Sequence, residues 1–219
     1  MEKQVLNTVD IFALRREFTL KTLDIKDVDP DPVKQFDIWL NEVLQSKLIE
    51  PNAMTLSTAT LDGKPSSRIV LLKQVKPDGF VFFTNYESRK GIQLQDNPYC
   101  ALNFVWHELE RQVRVEGIAE KLPKDESDSY FEMRPEKSKL GAWASPQSKP
   151  IPNREYLDNL MTCFENEFAG KKIIRPAGWG GYIVKPYLIE FWQGRENRLH
   201  DRIQYRQENN QWIIERLAP

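Results

Sequence analysis

Apolar residues recur at two spacings along this chain, and the change of spacing divides it. Over "DPDPVKQFDIWLNEVLQSKLIEP", Val33, Phe36, Leu40, Val43 and Leu44 fall at helical intervals. Asp31 is placed to cap that helix, Pro32 suits its first position and Pro51 closes it. A shorter amphipathic helix is predicted over 11–20, "IFALRREFTL", with Arg15 and Arg16 on its polar side. The period then drops to two. "AMTLSTATL" (53–61), "SSRIVLLKQVK" (66–76) and "FVFFTNY" (80–86), separated by the turns "DGK" and "PDG", read as a meander of strands.

After a short helix over "SRKGIQLQDNP", strand character resumes at 99–110 and 111–122. There Val113 and Val115 alternate with Gln112, Arg114 and Glu116, a half-buried pattern. Residues 124–144 and 153–168 read as helices. Three strands end the chain: "GWGGYIVKPYLIEFWQG", "RLHDRIQYRQ" and, after the turn "ENN", "QWIIERL". About seven antiparallel strands joined by hairpins predict a mainly β, α+β architecture: a closed or partly closed barrel with flanking helices. No βαβ alternation appears, which disfavours a Rossmann fold. A single domain over 1–219 is expected, with N-terminal helices (about 10–50) and a helical insertion (about 124–168).

Composition narrows the partners. At 219 residues the chain can bury roughly 70 % of its unfolded surface without disulfide or metal. Lys plus Arg is 31 and Asp plus Glu is 32, a net charge of −1, which argues against a nucleic-acid binder. The two cysteines, Cys100 and Cys163, form no CxxC motif and read as buried free thiols. The two histidines, His107 and His200, are too far apart for a local metal motif, so no metal is expected. No apolar run approaches the ~20 residues of a membrane span. The polar start "MEKQVLNTVD" does not read as a signal peptide, and the cytoplasm is the expected compartment.

No glycine-rich phosphate loop, GxSxG elbow or triad spacing occurs, so any phosphate must be held by side-chain cations. Three places offer them. In "SSRIVLLKQ", Arg68 and Lys73 are five apart and, on one strand, would face opposite ways about 17 Å apart. The plain alternative is a pair of strand-end charges. In "ESRKG", Arg89 and Lys90 begin a helix where cations oppose the helix dipole; that cost strengthens the case for a bound anion, with a solvated helix start as the plain alternative. In "SYFEMRPEKSKLGAW", Tyr130 and Arg134 share a helix face, and Pro135 suits the first position of a new helix that carries Ser138. Those groups fit an anion cradle about as well as an ordinary surface helix pair.

The segments "RIVLLK", "SRKG", "LERQVRVEG", "RPEKSKLGAWAS" with "QS", "WGG", "IEFWQG", "RLHDR" and the terminal "ERLAP" follow one another at spacings that resemble the pyridoxine/pyridoxamine 5′-phosphate oxidase family. Each segment alone is weak; the ordered set is specific and runs from "LRREF" to the last residue. The resemblance implies a homodimeric split β-barrel with an FMN in each of two interface active sites. It implies oxidation of pyridoxamine or pyridoxine 5′-phosphate to pyridoxal 5′-phosphate, O2 as acceptor and hydrogen peroxide as product.

Residue by residue, the resemblance sets Arg68, Ile69, Val70, Leu71, Leu72 and Lys73 along the flavin, with Arg68 toward the FMN phosphate. It sets Phe83 and Thr84 at the flavin, Arg89 and Lys90 on its phosphate, and Gln112, Gln147, Ser148, Trp192 and Arg202 as further flavin contacts. Lys73, Tyr130, Arg134 and Ser138 would hold the substrate phosphate. Arg15, Arg198, Leu199 and His200 would also contact the substrate, with Arg198 and His200 catalytic. On a strand, Arg198, His200 and Arg202 would share one face. Without the resemblance, His200 reads as a structural partner of Asp201. Phe18 stands where the family commonly has Tyr, in a segment expected to fold over the substrate, so its contribution there is packing. Two rivals remain: a split-barrel flavin reductase, which would need neither "RPEKS" nor "RLHDR", and a non-catalytic FMN or pyridoxal phosphate binder, which turnover would separate. An oligonucleotide-binding barrel fits the strand count but not the charge.

Overall fold

Asp31 caps the first helix as expected: its side chain accepts the backbone N–H groups of Val33 (2.9 Å) and Lys34 (3.5 Å). In a computed structural model, which describes residues 16–219, helix α1 runs Pro32–Gln45 and buries Val33, Phe36, Trp39 and Val43. Leu44, placed on the apolar face by spacing, is 54 % exposed, and Trp39 takes its share of the burial. Phe36 is fully buried between Phe80 and Phe104, with ring centroids 4.8 Å away in each case. Of the predicted 11–20 helix, residues 11–15 lie outside the described residues, and 16–20 are not helical.

Nine strands follow: β1 (Ala53–Ala59), β2 (Pro65–Leu71), β3 (Gln74–Lys76), β4 (Gly79–Asn85), β5 (Tyr99–Trp106), β6 (Arg111–Lys121), β7 (Trp179–Gln193), β8 (Asp201–Glu208) and β9 (Gln211–Leu217). All their pairings are antiparallel, in the order β2-β1-β5-β6-β7-β4-β3, with the β8–β9 hairpin added to β7. The hairpin turns on Asn209 and Asn210, both at positive φ (50° and 62°), the geometry that matches the twist of the strands.

The two ends of that order, β2 and β3, are consecutive in the chain. The predicted strand 66–76 is therefore two strands broken at Leu72–Lys73. Its first half pairs with β1, and its second half pairs with β4. At the break Leu72 and Asn52 exchange backbone and side-chain hydrogen bonds (Leu72 N–H to Asn52 O, 2.9 Å; Asn52 Nδ2 to Leu72 O, 2.9 Å), while Lys73 N–H donates to Val81 O (2.8 Å). One bent segment thus ties both edges of the sheet and curls it into a barrel around Leu56, Phe80, Phe82, Leu102, Phe104, Val113, Val115 and Phe191. The sheet is mainly antiparallel β with flanking helices, as the spacing predicted.

Helix α2 (Arg89–Asp96) covers one barrel end. Helices α3 (Lys124–Glu132), α4 (Glu136–Ala144) and α5 (Arg154–Glu167) form the insertion, split at Pro135, which sits at the N-cap of α4 rather than inside it. Cys100 is buried, and burial pushes its thiol up to about 12; Cys163, expected to be buried, is exposed on α5. Ahead of α1, residues 16–23 cross the barrel surface on two carboxylates. Glu110 accepts Leu20 N–H (3.0 Å) and pairs with Arg16 (3.4 Å); Asp201 accepts Leu23 N–H (3.1 Å).

Candidate active site

The cations of β2 and α2 meet at one barrel end. Arg68 donates to Leu56 O (3.1 Å), Thr58 Oγ1 (2.7 Å) and Ser66 Oγ (2.6 Å). Lys90 reaches Gln147 Oε1 (3.0 Å), Thr84 Oγ1 (3.3 Å) and Ser88 Oγ (3.4 Å). Ser88 caps α2 on the N–H of Gly91, which leaves Arg89 and Lys90 in the first turn. Burial, then the Arg89 charge, lowers the pKa of Arg68; burial, then the Arg68 charge, lowers that of Lys90. Among residues 16–219, no carboxylate pairs with Arg68, Arg89 or Lys90. Crowded cations without a counter-charge, at a helix start, make a site for a multiply charged anion. A groove of about 630 Å³ opens beside them, lined by Arg89, Gln93, Gln147 and Ser148 and also by the carboxylates of Asp62, Glu87 and Asp96, none of which pairs with these cations. Ser148 is in the left-handed region (φ 71°).

The second group lies on the other face of β4. Alternation turns Thr84 toward Lys90 and Phe83 to the opposite face. Phe83 stacks on Tyr130 (3.8 Å between centroids, 12° between planes) and on Trp179 (5.6 Å). The Arg134 guanidinium lies 4.5 Å from the Trp179 ring centroid, and its Nη1 is buried with no hydrogen-bond partner. Burial lowers its pKa. Ser138, half-buried, follows in the first turn of α4. A buried, unpartnered guanidinium nitrogen is costly unless an anion takes it. Lys73 is exposed at the strand break, and no hydrogen bond joins it to Tyr130, Arg134 or Ser138. The strand-alternation argument that set it opposite Arg68 does not apply across that break.

The third group is a row across three strands. Gln112 on β6 faces Trp192 on β7, which faces Arg202 on β8. Arg202 is held by both oxygens of Glu190 (2.7 and 3.1 Å) and by Ala218 O (2.8 Å). Glu190, only 4 % exposed, also pairs with Arg114 (2.9 Å). Alternation placed Arg198, Leu199 and His200 on a strand, and they are not on one: β8 starts at Asp201, and Glu196–Arg198 form a 3-10 turn with Asn197 and Arg198 at φ 55° and 62°. Left-handed geometry at an arginine costs about 1–2 kcal/mol and projects the side chain from the turn. Arg198 and Leu199 are exposed.

His200 does not bond Asp201, which pairs with Arg195 (2.9 Å) and Arg216 (2.7 Å). Its Nδ1 instead accepts Arg195 N–H (3.1 Å), and its ring packs on Trp192 (4.6 Å). Phe18 rests edge-on against both rings, 5.7 Å from Trp192 and 5.6 Å from His200. A Cβ at Gly194 would come within 2.8 Å of Phe18, so glycine leaves that seat open. Burial, then the Arg198 charge, lowers the His200 pKa and favours the neutral ring.

Among the described residues, no hydrogen bond, ion pair or ring contact joins these three groups. Arg15 lies outside the described residues. Ile69 is 64 % exposed on β2, whose second edge pairs with no strand among them, while Val70 and Leu72 turn to the core. Sequence reasoning missed Thr58, Ser66, Gln93 and Glu190. Hydroxyls and an amide carry no charge signal, and Glu190 reads as one more alternating polar position. No group of His, Cys, Asp and Glu among residues 16–219 could hold a metal ion, and no helix among them is long and apolar enough to cross a membrane.

The chain is similar to known proteins along most of its length. Residues 40–158 match the family model described as pyridoxamine 5′-phosphate oxidase, and 179–219 match the pyridoxine 5′-phosphate oxidase C-terminal dimerisation region. A pyridoxine/pyridoxamine 5′-phosphate oxidase of Cupriavidus metallidurans is 56 % identical over 94 % of this chain and 97 % of its own. One from a Cyanothece strain is 50 % identical over 97 % and 100 %. Among solved structures, PhzG from Burkholderia lata, in complex with tetrahydrophenazine-1-carboxylic acid, superposes with a TM-score of 0.86 at 29 % identity, over 91 % of this chain and 99 % of its own. A pyridoxamine 5′-phosphate oxidase-related, FMN binding protein of Nostoc punctiforme shares the fold, with a TM-score of 0.67 at 16 % identity over 86 % and 98 %.

Proposed function

The chain belongs to the pyridoxine/pyridoxamine 5′-phosphate oxidase family, and on that premise we propose that it oxidises pyridoxamine or pyridoxine 5′-phosphate to pyridoxal 5′-phosphate in the cytoplasm, with FMN as cofactor, O2 as acceptor and hydrogen peroxide as product. One observation carries the reading. Among the described residues two separate cationic sites, Arg68/Arg89/Lys90 and Arg134, have no carboxylate partner, and the reaction brings together two phosphate-bearing molecules.

The residues fit FMN. Three crowded cations suit a phosphate dianion, and the free edge of β2 offers backbone donors and acceptors to a heteroaromatic rim. Arg68, Arg89 and Lys90 would hold the phosphate; β2, Thr84, Gln147 and Ser148 would line the flavin, and Gln112, Trp192 and Arg202 would complete it. When bound, FMN supplies the hydride acceptor and the route of electrons to O2.

The substrate phosphate falls to Arg134, with Tyr130, Ser138 and Lys73. An anion there satisfies the buried Nη1 and fixes one end of the substrate. Arg198 then orients the other end. His200 acts as a donor rather than a base: with Nδ1 accepting Arg195 N–H, the neutral ring carries its proton on Nε2, which suits the oxygen of the substrate ring hydroxyl. Phe18, packed over Trp192 and His200, keeps water from the reacting carbon.

The matched dimerisation region spans β7–β9, which carry Trp192, Arg198, His200 and Arg202. A homodimer that brings this group of one subunit to the cationic barrel end of its partner would assemble each active site from both. The likeness to PhzG favours a second reading, in which Arg134 takes a carboxylate of a tricyclic substrate. Turnover decides: formation of pyridoxal 5′-phosphate with one peroxide per product from either B6 phosphate supports the proposal. Turnover of a dihydro- or tetrahydrophenazine carboxylate alone supports the second reading. FMN binding with no turnover of either leaves a carrier.

A further inference from the structure

Arg68 is the one of the three crowded cations that β2 carries, and what holds it is neutral. Thr58 Oγ1 and Ser66 Oγ each accept one of its guanidinium N–H groups, at 2.7 and 2.6 Å. Each hydroxyl passes its own proton to the same atom, Gln93 Oε1, at 2.6 Å from Thr58 and 2.8 Å from Ser66. The arrangement allows one orientation of the amide. Turned over, Gln93 would donate to hydroxyls that already accept from Arg68, and two hydroxyl protons would lose their acceptor. Thr58 is 2 % exposed and Gln93 5 %, so water does not substitute freely. A carboxylate in the place of Gln93 would satisfy the same hydroxyls but would set a negative charge beside the anion site.

We infer that Gln93 is a positioning residue for the cofactor phosphate. By accepting both hydroxyl protons, it forces Thr58 and Ser66 to present lone pairs to Arg68 and so aims the guanidinium without neutralising it. Gln93 sits one helical turn after Arg89 and Lys90, so α2 supplies two cations and the device that orients the third. The inference rests on the reading of this cluster as the FMN-phosphate site.

The test compares two flavins that differ only in the phosphate. Apoprotein is titrated with FMN and with riboflavin, followed by quenching of flavin fluorescence. The wild type should prefer FMN strongly. Gln93→Met keeps the length and removes both hydrogen-bond acceptances; it should weaken FMN about tenfold or more and leave riboflavin unchanged. Ser66→Ala, which removes a single acceptor at a half-buried position, should weaken FMN by a smaller factor, about threefold to tenfold, again without effect on riboflavin. Equal losses for both flavins would mean that Gln93 only supports the fold, and unchanged FMN affinity would mean that Arg68 needs no aiming; either overturns the inference. A wild type that does not distinguish FMN from riboflavin would instead remove the phosphate reading of the cluster, and the inference with it.

Discussion

His200 is the residue at which structure most changes the chemistry expected from sequence. Its nearest carboxylate by sequence, Asp201, is taken by Arg195 and Arg216, and a backbone N–H fixes its Nδ1 as an acceptor. Protonation would place a proton on Nδ1, against the N–H of Arg195. Burial and the Arg198 charge already oppose it and set the pKa below the ordinary imidazole value. The neutral form therefore predominates at and above the ordinary value, and it is lost as pH falls through the lowered one. The kcat/KM profile should show an acid limb below the usual imidazole range. His200→Asn, which keeps a donor but cannot titrate, should retain part of the activity and lose that limb. A limb that survives in the variant would belong to another group. At single residues the sequence offered Arg68, Arg89, Lys90 and Arg134 as candidates because they are charged, but not which of them lack an acid partner: Glu87 stands beside Arg89, and Glu132 and Glu136 flank Arg134, in the chain without pairing with them in the fold. Gln93 and Thr58 were not legible, because neutral hydrogen-bond partners leave no mark until the chain brings them together.

The elements were read well where period and caps agreed and poorly where one element does two jobs. Asp31 and Pro32 start α1, and Pro135 divides α3 from α4, as the sequence implied. The stretch 66–76 has the alternation of one strand, yet it serves two opposite edges of the sheet and must break between them. The strand predicted from Arg198 likewise begins three residues late, at Asp201, because the turn at 196–198 holds Asn197 and Arg198 in left-handed geometry without glycine to announce it. The break in β2–β3 depends on Asn52, whose side chain takes the Leu72 carbonyl. Asn52→Ala should lower stability by about 1 kcal/mol, read as a lower urea midpoint with unchanged slope. Because Lys73 follows the break, the variant should also raise KM for the phosphate substrates. A changed midpoint with an unchanged KM would show that the crossover closes the barrel without placing Lys73.

At the scale of the whole molecule, the three groups of site residues do not touch one another within the described chain, and the matched dimerisation region carries one of them. If each active site draws on both subunits, damage to different groups can be complemented. Arg89→Ala and Arg198→Ala homodimers should each be impaired, the first through FMN affinity and the second through turnover with FMN retained. Co-refolded in equal amounts, they give mixed dimers in which one site carries both defects and the other carries none, so about one quarter of wild-type activity should return. No recovery would place all groups of a site in one subunit. The dimer should run at twice the chain mass of 25.7 kDa.

The central claim is that this chain moves a hydride from a B6 phosphate to FMN and passes the electrons to oxygen. The most direct measurement is the visible spectrum of the FMN-loaded protein, recorded without oxygen as pyridoxine 5′-phosphate is added and again on admitting air. The account predicts that the flavin band bleaches with substrate and returns with oxygen, with pyridoxal 5′-phosphate left in solution. A flavin band that stays unchanged with both pyridoxine and pyridoxamine 5′-phosphate would contradict it.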